Sequence, residues 1–126
     1  PVITSYPITV AKPGSEYAYT VIAEDADAGD VLTYSLVEAP EGMTINTQTG
    51  KITWIPTDAQ AGQTYQVVVQ VSDGNGSTTQ TYSIVVDELP VEPYRPFFDN
   101  YIWIGIVLLL VTMIILMSLA MRRKDE

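Results

Sequence analysis

The fold of this chain is decided by residues 65–87, which read YQVVVQVSDGNGSTTQTYSIVVD. Apolar side chains occupy every second position on both sides of the central polar run, at Tyr65, Val67, Val69 and Val71 and again at Tyr82, Ile84 and Val86. A period of two, built from β-branched and aromatic residues, is typical of strands with one buried face. The run Asp73-Gly74-Asn75-Gly76 favours a tight turn, because glycine and asparagine adopt positive φ readily. Residues 65–87 therefore predict a β-hairpin.

The same alternation extends upstream of the hairpin. It recurs over 17–24 and 32–37, and shorter runs at 43–46 and 51–54 flank a turn at Gln48, Thr49 and Gly50. Turn-forming pairs such as Pro13-Gly14 separate the runs, and apolar spacing of three and four is absent before residue 100. About seven short strands in some ninety residues predict an all-β, Greek-key β-sandwich.

A second kind of segment lies at the end of the chain. Residues 101–121 read YIWIGIVLLLVTMIILMSLAM, without a charge, and Arg122, Arg123 and Lys124 follow. A helix of this length spans roughly 31 Å, the thickness of the hydrocarbon core of a bilayer. Basic flanks stay on the cytoplasmic side, so we expect a single-pass protein of the plasma membrane with residues 1–100 outside the cytoplasm. Tyr101 and Trp103 are expected at the outer headgroup layer.

These patterns divide the chain into four parts. We predict a sandwich at 1–88, a proline-rich stalk at 89–100, a transmembrane helix at 101–121 and a cytoplasmic tail at 122–126. Pro90, Pro93 and Pro96 favour an extended stalk. Phe97 and Phe98 are expected to anchor at the membrane interface or to contact a neighbouring subunit. Because the chain starts at Pro1, we expect an export signal or a longer N-terminal region before it.

The charge and composition of the chain exclude several functions. The formal net charge is −9, and residues 1–100 carry thirteen acids against three basic residues, Lys12, Lys51 and Arg95. An acidic domain repels nucleic acid and attracts cations, so no nucleic-acid partner is expected. The chain has no Cys and no His, which removes disulfides, thiol chemistry and the commonest general base.

Ordered landmarks along residues 1–87 carry a resemblance to a known family. They are Tyr17-x-Tyr19, Ala23-x-Asp25-x-Asp27, Leu32-Thr33-Tyr34-Ser35-Leu36, Ala39-Pro40-x-Gly42-Met43, Thr49-Gly50-x-Ile52-x-Trp54-x-Pro56 and Val71-Ser72-Asp73-Gly74. With them the chain resembles the putative-immunoglobulin and dystroglycan-type cadherin-like repeats of surface proteins. The resemblance implies an Ig/cadherin-like sandwich. Such modules serve as spacers, adhesion units or ligand-binding domains, so the resemblance alone leaves the function open.

The resemblance also implies a calcium site at Asp25, Asp27 and Asp73. Cadherin repeats bind Ca²⁺ with the matching acids, and Ca²⁺ takes six to eight oxygen ligands at about 2.3–2.6 Å. Two cadherin elements are missing: residues 56–59 read PTDA where cadherins carry Leu-Asp-Arg-Glu, and Asp87-Glu88 replaces the linker motif. The alternative is that the three acids are turn formers that bind their own backbone amides.

Asn75-Gly76-Ser77 is a glycosylation sequon, although the same residues also suit the hairpin turn. We expect no catalysis and no cofactor other than Ca²⁺. Paired acids could hydrolyse glycosides, but Asp25 and Asp27 lie in a loop without an evident pocket.

The function expected is assembly through the sandwich. In the first version the chain is an accessory subunit whose partners are integral membrane subunits or surface proteins. In the alternative it is the membrane-proximal repeat of a surface adhesion or scaffold protein. The span carries no acid or base, which argues against ion transport by this chain alone, and Gly105 and Thr112 share one helix face that suits a helix contact.

Overall fold

The structure is a computed structural model that describes residues 1–27, 29–94 and 99–124. The chain divides into two compact units, Pro1–Pro90 and Val91–Glu126. The predicted contacts of Phe97 and Phe98, part of the predicted stalk and the end of the predicted tail lie outside the described residues.

The first unit consists of short strands and one turn of 3₁₀ helix, Asp58–Gln60. Its strands are β1 (Val2–Ile3), β2 (Val10–Ala11), β3 (Tyr17–Thr20), β4 (Ala23–Glu24), β5 (Thr33–Glu38), β6 (Thr44–Ile45), β7 (Lys51–Trp54), β8 (Thr64–Ser72) and β9 (Ser77–Val86). The prediction of a mostly β fold is confirmed.

Two main sheets face each other across one core. One has the order β2-β9-β8-β5 and the other has the order β3-β7-β6, while β1 pairs with β4. The predicted hairpin is present as β8 and β9, whose antiparallel register runs from Thr64 opposite Val85 to Ser72 opposite Ser77. Strand β2 pairs in parallel with β9, with Val10 opposite Val85. The first segment of the chain therefore contributes strands to two sheets, β1 to the β1-β4 pair and β2 to the four-stranded sheet.

Several strand bounds differ from the prediction. Strands β1 and β2 were not predicted from the sequence. Each has only two residues, and the first residue of each, Val2 or Val10, is more than half exposed. The predicted strand over 17–24 is interrupted at Val21 and Ile22, where the amide of Val21 donates to the Gly50 carbonyl oxygen at 3.0 Å. The predicted strand at 43–46 shortens to β6.

Trp54 is the centre of the core. It is 1 % exposed, and its ring meets Tyr17 and Tyr65 edge to face at centroid distances of 6.3 and 5.6 Å. Its Nε1–H donates to the Glu41 carbonyl oxygen at 3.2 Å. The alternate residues of β7, β8 and β9 complete the packing, with Ile52, Val67, Val69, Val71 and Ile84 all at 0 % exposure. The aromatic residues are thus largely core residues, as the alternation predicted.

Gly50 fixes the turn between β6 and β7. Its φ is +73°, and a Cβ at this position would lie 2.6 Å from the Val21 carbonyl oxygen and 2.9 Å from the Tyr34 ring. Asn46 supports the turn, because its Oδ1 accepts the amides of Gln48 and Thr49 at 2.9 Å each. Only glycine fits this approach of the turn to the core.

The second unit contains one helix, α1 (Asp99–Lys124). From Tyr101 to Lys124 it is long and apolar enough to cross a membrane, and none of that stretch is buried within the structure. The Thr112 hydroxyl donates to the Leu109 carbonyl oxygen at 2.8 Å, so the helix itself satisfies this polar group.

Candidate metal centre

Three aspartates from two loops of the sandwich come together. Oxygens of Asp25, Asp30 and Asp73 all lie within 4.8 Å of one another. Asp25 directly follows β4, Asp30 precedes β5, and Asp73 opens the turn between β8 and β9. The loops after β4 and after β8 therefore lie at the same end of the sandwich, as the resemblance implied.

The Asp25 carboxylate is held in place on both sides. Its Oδ1 accepts the Asp27 amide at 2.9 Å. Its Oδ2 is buried and pairs with the backbone nitrogen of Pro1 at 3.0 Å. The Asp27 amide, and next the Pro1 nitrogen, hold the pKa of Asp25 below its usual range. This carboxylate is therefore ionised at neutral pH.

Asp73 combines the role of a turn former with a place in the cluster. Its Oδ1 accepts the amides of Asn75 and Gly76 at 2.7 and 2.6 Å. One oxygen of Asp73 thus caps the hairpin turn, as one oxygen of Asp25 caps the loop after β4. The second oxygen of Asp25 already lies 3.0 Å from the Pro1 nitrogen, so a cation at this site would have to share that oxygen or displace the nitrogen.

The predicted site and the observed cluster overlap without being identical. The structure brings together Asp25 and Asp73 but replaces the predicted Asp27 by Asp30. Asp27 contributes its backbone: its amide binds Asp25 and its carbonyl oxygen accepts the Asp30 amide at 3.4 Å. The sequence signal for Asp30 was the turn Gly29-Asp30, which returns an acid to the same loop.

The donor set suits a hard cation. Carboxylate oxygens suit Ca²⁺ or Mg²⁺ and are poor ligands for soft metals. Ca²⁺ takes about six to eight oxygens, so three carboxylates with two oxygens already used in turns supply a partial shell that water or another chain would have to complete. Three acids within 4.8 Å also repel one another. A cation would relieve that repulsion.

The other surface depressions of the sandwich are open and shallow. One, of about 500 Å³, lies beside β2 and β3 and is lined by Ile8, Val10, Lys12, Glu16 and Tyr17, among others. Its single acid stands beside a lysine, without the second carboxylate that glycoside hydrolysis would need. This depression therefore provides no catalytic pair.

Two facing sheets, with β2 added in parallel to the edge of the four-stranded one, are typical of an immunoglobulin-like domain. A family model described as "Putative Ig domain" matches residues 1–87, and the chain belongs to that family. No curated protein matches the chain.

Solved structures share this fold. Human protocadherin-24 EC1-2 matches with a TM-score of 0.53 and 21% identity, over 70% of this chain and 44% of that one. A putative alpha-galactosidase from Bacteroides fragilis matches with a TM-score of 0.55 and 19% identity, over 67% and 17%. An endo-fucoidan hydrolase of glycoside hydrolase family 107 matches with a TM-score of 0.55 and 25% identity, over 68% and 13%. The chain thus spans less than half the length of each.

The family and the fold narrow the function to a class. The domain is Ig/cadherin-like in family and fold. Domains of this kind are typically non-catalytic, although two of the matched structures are of glycoside-hydrolysing proteins. The apolar helix could serve as a membrane span.

Proposed function

We propose that this chain is a non-catalytic, single-pass membrane protein whose sandwich mediates protein–protein assembly. In this proposal α1 crosses the plasma membrane, residues 1–100 lie outside the cytoplasm, and the chain is an accessory subunit of a larger membrane complex. The proposal concerns binding only and requires no cofactor.

One observation carries this proposal: an Ig-family domain and a helix with an uncharged apolar stretch over residues 101–121 occur in the same chain. That stretch is apolar on all sides and unburied, so it needs lipid or other helices around it. Arg122, Arg123 and Lys124 stand at its C-terminal end, which favours a cytoplasmic C-terminus.

Two experiments test the proposal. Protease added to intact cells should remove residues 1–100, and protection of the sandwich while the protein is present would refute the orientation. After gentle solubilisation the chain should co-migrate with other integral membrane proteins. A chain that elutes alone from the native membrane would contradict the subunit role.

The aspartate cluster favours a second candidate function. In this version the chain is the membrane-proximal repeat of a surface adhesion or scaffold protein, and Ca²⁺ bound by Asp25, Asp30 and Asp73 stiffens it. The observation in its favour is that two loops bring these carboxylate oxygens within 4.8 Å of one another.

The calcium version predicts a Ca²⁺-dependent melting temperature. Full-length chain in lipid nanodiscs should melt at a higher temperature with Ca²⁺ than with a chelator, because a cation that binds only the folded state stabilises it. Asp30→Asn should abolish the difference. Asp58→Asn, in the 3₁₀ helix and outside the cluster, should preserve it. Equal melting temperatures with Ca²⁺ and with chelator would remove this candidate.

A further inference from the structure

The turn between β8 and β9 contains an asparagine that the turn itself does not use. Asp73 Oδ1 accepts the amides of Asn75 and Gly76 at 2.7 and 2.6 Å, and the Ser72 hydroxyl donates to the Gly76 carbonyl oxygen at 3.1 Å. The positive φ of the turn belongs to Gly74, at +90°, and no described residue other than glycine has a positive φ. The side-chain amide of Asn75 makes no hydrogen bond with a described residue. Positive φ, the property of asparagine that favoured this turn in the sequence, therefore does not explain Asn75.

A second exposed turn asparagine, Asn46, shows the contrast. Its Oδ1 accepts the amides of Gln48 and Thr49 at 2.9 Å each, so its side chain holds the turn between β6 and β7. Asn46 thus has a structural role, whereas the exposed side chain of Asn75 has none among the described residues. The two also differ in sequence, because the residue two positions after Asn46 is Gln48, which has no hydroxyl.

Asn75 begins the only Asn-x-Ser/Thr sequence in this chain, which Gly76 and Ser77 complete. This sequence is the acceptor for asparagine-linked glycosylation when x is not proline. Ser77 is exposed at the start of β9, and its Oγ accepts a hydrogen bond from Gln70 Nε2 at 3.1 Å. The amide and the hydroxyl that define the acceptor sequence therefore both lie on the surface of the domain.

The surroundings of Asn75 have room for a bulky group. A Cβ placed on either flanking glycine, Gly74 or Gly76, would meet no atom of the described residues within 4 Å. A glycan is bulky and hydrophilic and needs such an open, solvated position. The hairpin turn provides it without any change in the fold.

We propose that Asn75 carries an asparagine-linked oligosaccharide. The inference rests on the proposed function, because the hairpin must lie outside the cytoplasm to meet the glycosylation machinery. In the transfer, Nδ2 of Asn75 forms a bond to the anomeric carbon of a sugar on a lipid-linked phosphate donor, and the bond from that carbon to the phosphate oxygen breaks. The phosphate leaves with the electron pair, and the amide nitrogen loses one proton to a base of the transferring enzyme. The attached glycan covers the turn and leaves the two sheets available to partner proteins.

Mass spectrometry of the peptide that contains Asn75 tests the proposal, with full-length protein purified from the membranes of its source organism. The parent peptide should exceed its unmodified mass by a whole number of sugar residues. Ser77→Ala should remove this excess and Ser77→Thr should retain it, because the acceptor sequence requires a hydroxyl at this position. An unmodified parent peptide, or an excess that persists in Ser77→Ala, would overturn the proposal.

Access of external protease to the sandwich is measured on the same cells. An unmodified chain whose sandwich is accessible refutes the glycan alone, whereas a protected sandwich refutes the proposed orientation as well. Failure of this inference is therefore distinguishable from failure of the proposed function.

The stability of the unglycosylated chain tests the structural argument separately. The protein is produced in a host without asparagine-linked glycosylation and reconstituted in lipid nanodiscs. Asn75→Ala should leave the melting temperature unchanged, whereas Asn46→Ala should lower it by several degrees, because it removes two hydrogen bonds to turn amides. Equal losses from the two variants would show that Asn75 serves the turn and would contradict the inference.

Discussion

The two units of this chain use apolar residues in opposite ways. In the sandwich Ile52, Val67 and Ile84 are fully buried by neighbours from the same unit. In α1 no side chain from Tyr101 to Lys124 is buried, and Trp103 is 69% exposed. The difference follows from periodicity: alternation gives each strand one face for a shared core, whereas an apolar run without charged positions leaves apolar side chains on every side of the helix. The sandwich contains its own apolar environment, and the helix requires one from outside.

The two tryptophans provide the largest expected contrast. Trp54→Ala should lower the free energy of unfolding of the sandwich by about 3–5 kcal/mol, because it removes a buried ring and leaves a cavity. Trp103→Ala should leave that free energy unchanged, since Trp103 lies in the other unit. Urea unfolding of the full chain, followed by near-UV circular dichroism, measures both. Comparable losses from the two variants would contradict the separation of the units.

A charge in the helix tests its dependence on lipid. Leu110 lies in the middle of the apolar run and is exposed. Leu110→Arg should cost about 2.5–3.5 kcal/mol of membrane insertion, whereas Leu110→Ala should cost little. Alkaline extraction of membranes should release the arginine variant and retain the alanine variant. If both stay in the membrane fraction, the helix is held there by something other than its apolar surface.

Alkaline pH should weaken the sandwich. Burial raises the pKa of Tyr17 and of Tyr82 above the ordinary value of 10.0. The folded domain therefore keeps protons that the unfolded chain releases, so its stability is full below pH 10 and falls above it, by at most about 1.4 kcal/mol per pH unit for each tyrosine. Urea unfolding between pH 8 and pH 11 measures the slope. Tyr82→Phe should flatten it, and a slope that Tyr82→Phe leaves unchanged would argue against burial of this hydroxyl.

The smallest expected difference in stability is between variants of two neighbouring core tyrosines, Tyr19 and Tyr82. Tyr19 donates to Gln80 at 2.9 Å and shares a hydrogen bond with Ser5 at 2.7 Å. The Tyr82 hydroxyl is buried and makes no well-formed hydrogen bond with the described residues, although the Tyr17 hydroxyl is close enough to affect its pKa. The rings of Tyr19 and Tyr82 meet edge to face at 5.9 Å. Tyr19→Phe should destabilise the domain by about 1–2 kcal/mol, and Tyr82→Phe should be neutral or stabilising. Thermal unfolding at pH 7 measures the stability of the two variants. A Tyr82→Phe variant less stable than Tyr19→Phe would contradict this prediction.

Much of the fold was predictable because it depends on local patterns. β7 begins and ends at the predicted residues, and the hairpin turn falls at Asp73–Gly76 as predicted. In both cases buried residues alternate strictly and turn-forming residues bound the strand. The apolar helix was equally predictable, because more than twenty consecutive residues of apolar composition indicate it.

The remainder depends on contacts between distant parts of the chain. The pairing of β2 with β9 joins residues 10 and 85, and the two residues of β2 carry no local pattern that predicts it. The exchange of Asp27 for Asp30 in the aspartate cluster follows from the path of one loop, in which the Asp27 amide turns back onto Asp25. The spacing of acids predicted which loop supplies them but could not predict which carboxylates meet.

The parallel pairing of β2 with β9 has a mechanical consequence. The amide of Val85 donates to Thr9 and the amide of Asp87 donates to Ala11, both at 2.9 Å, so these bonds join the first part of the domain to its last strand. A stretching force applied between the N-terminal and C-terminal ends of the domain acts parallel to both strands. It therefore loads these hydrogen bonds together in shear, instead of breaking them one after another. We therefore expect the domain to resist stretching along the chain better than its short terminal strands suggest.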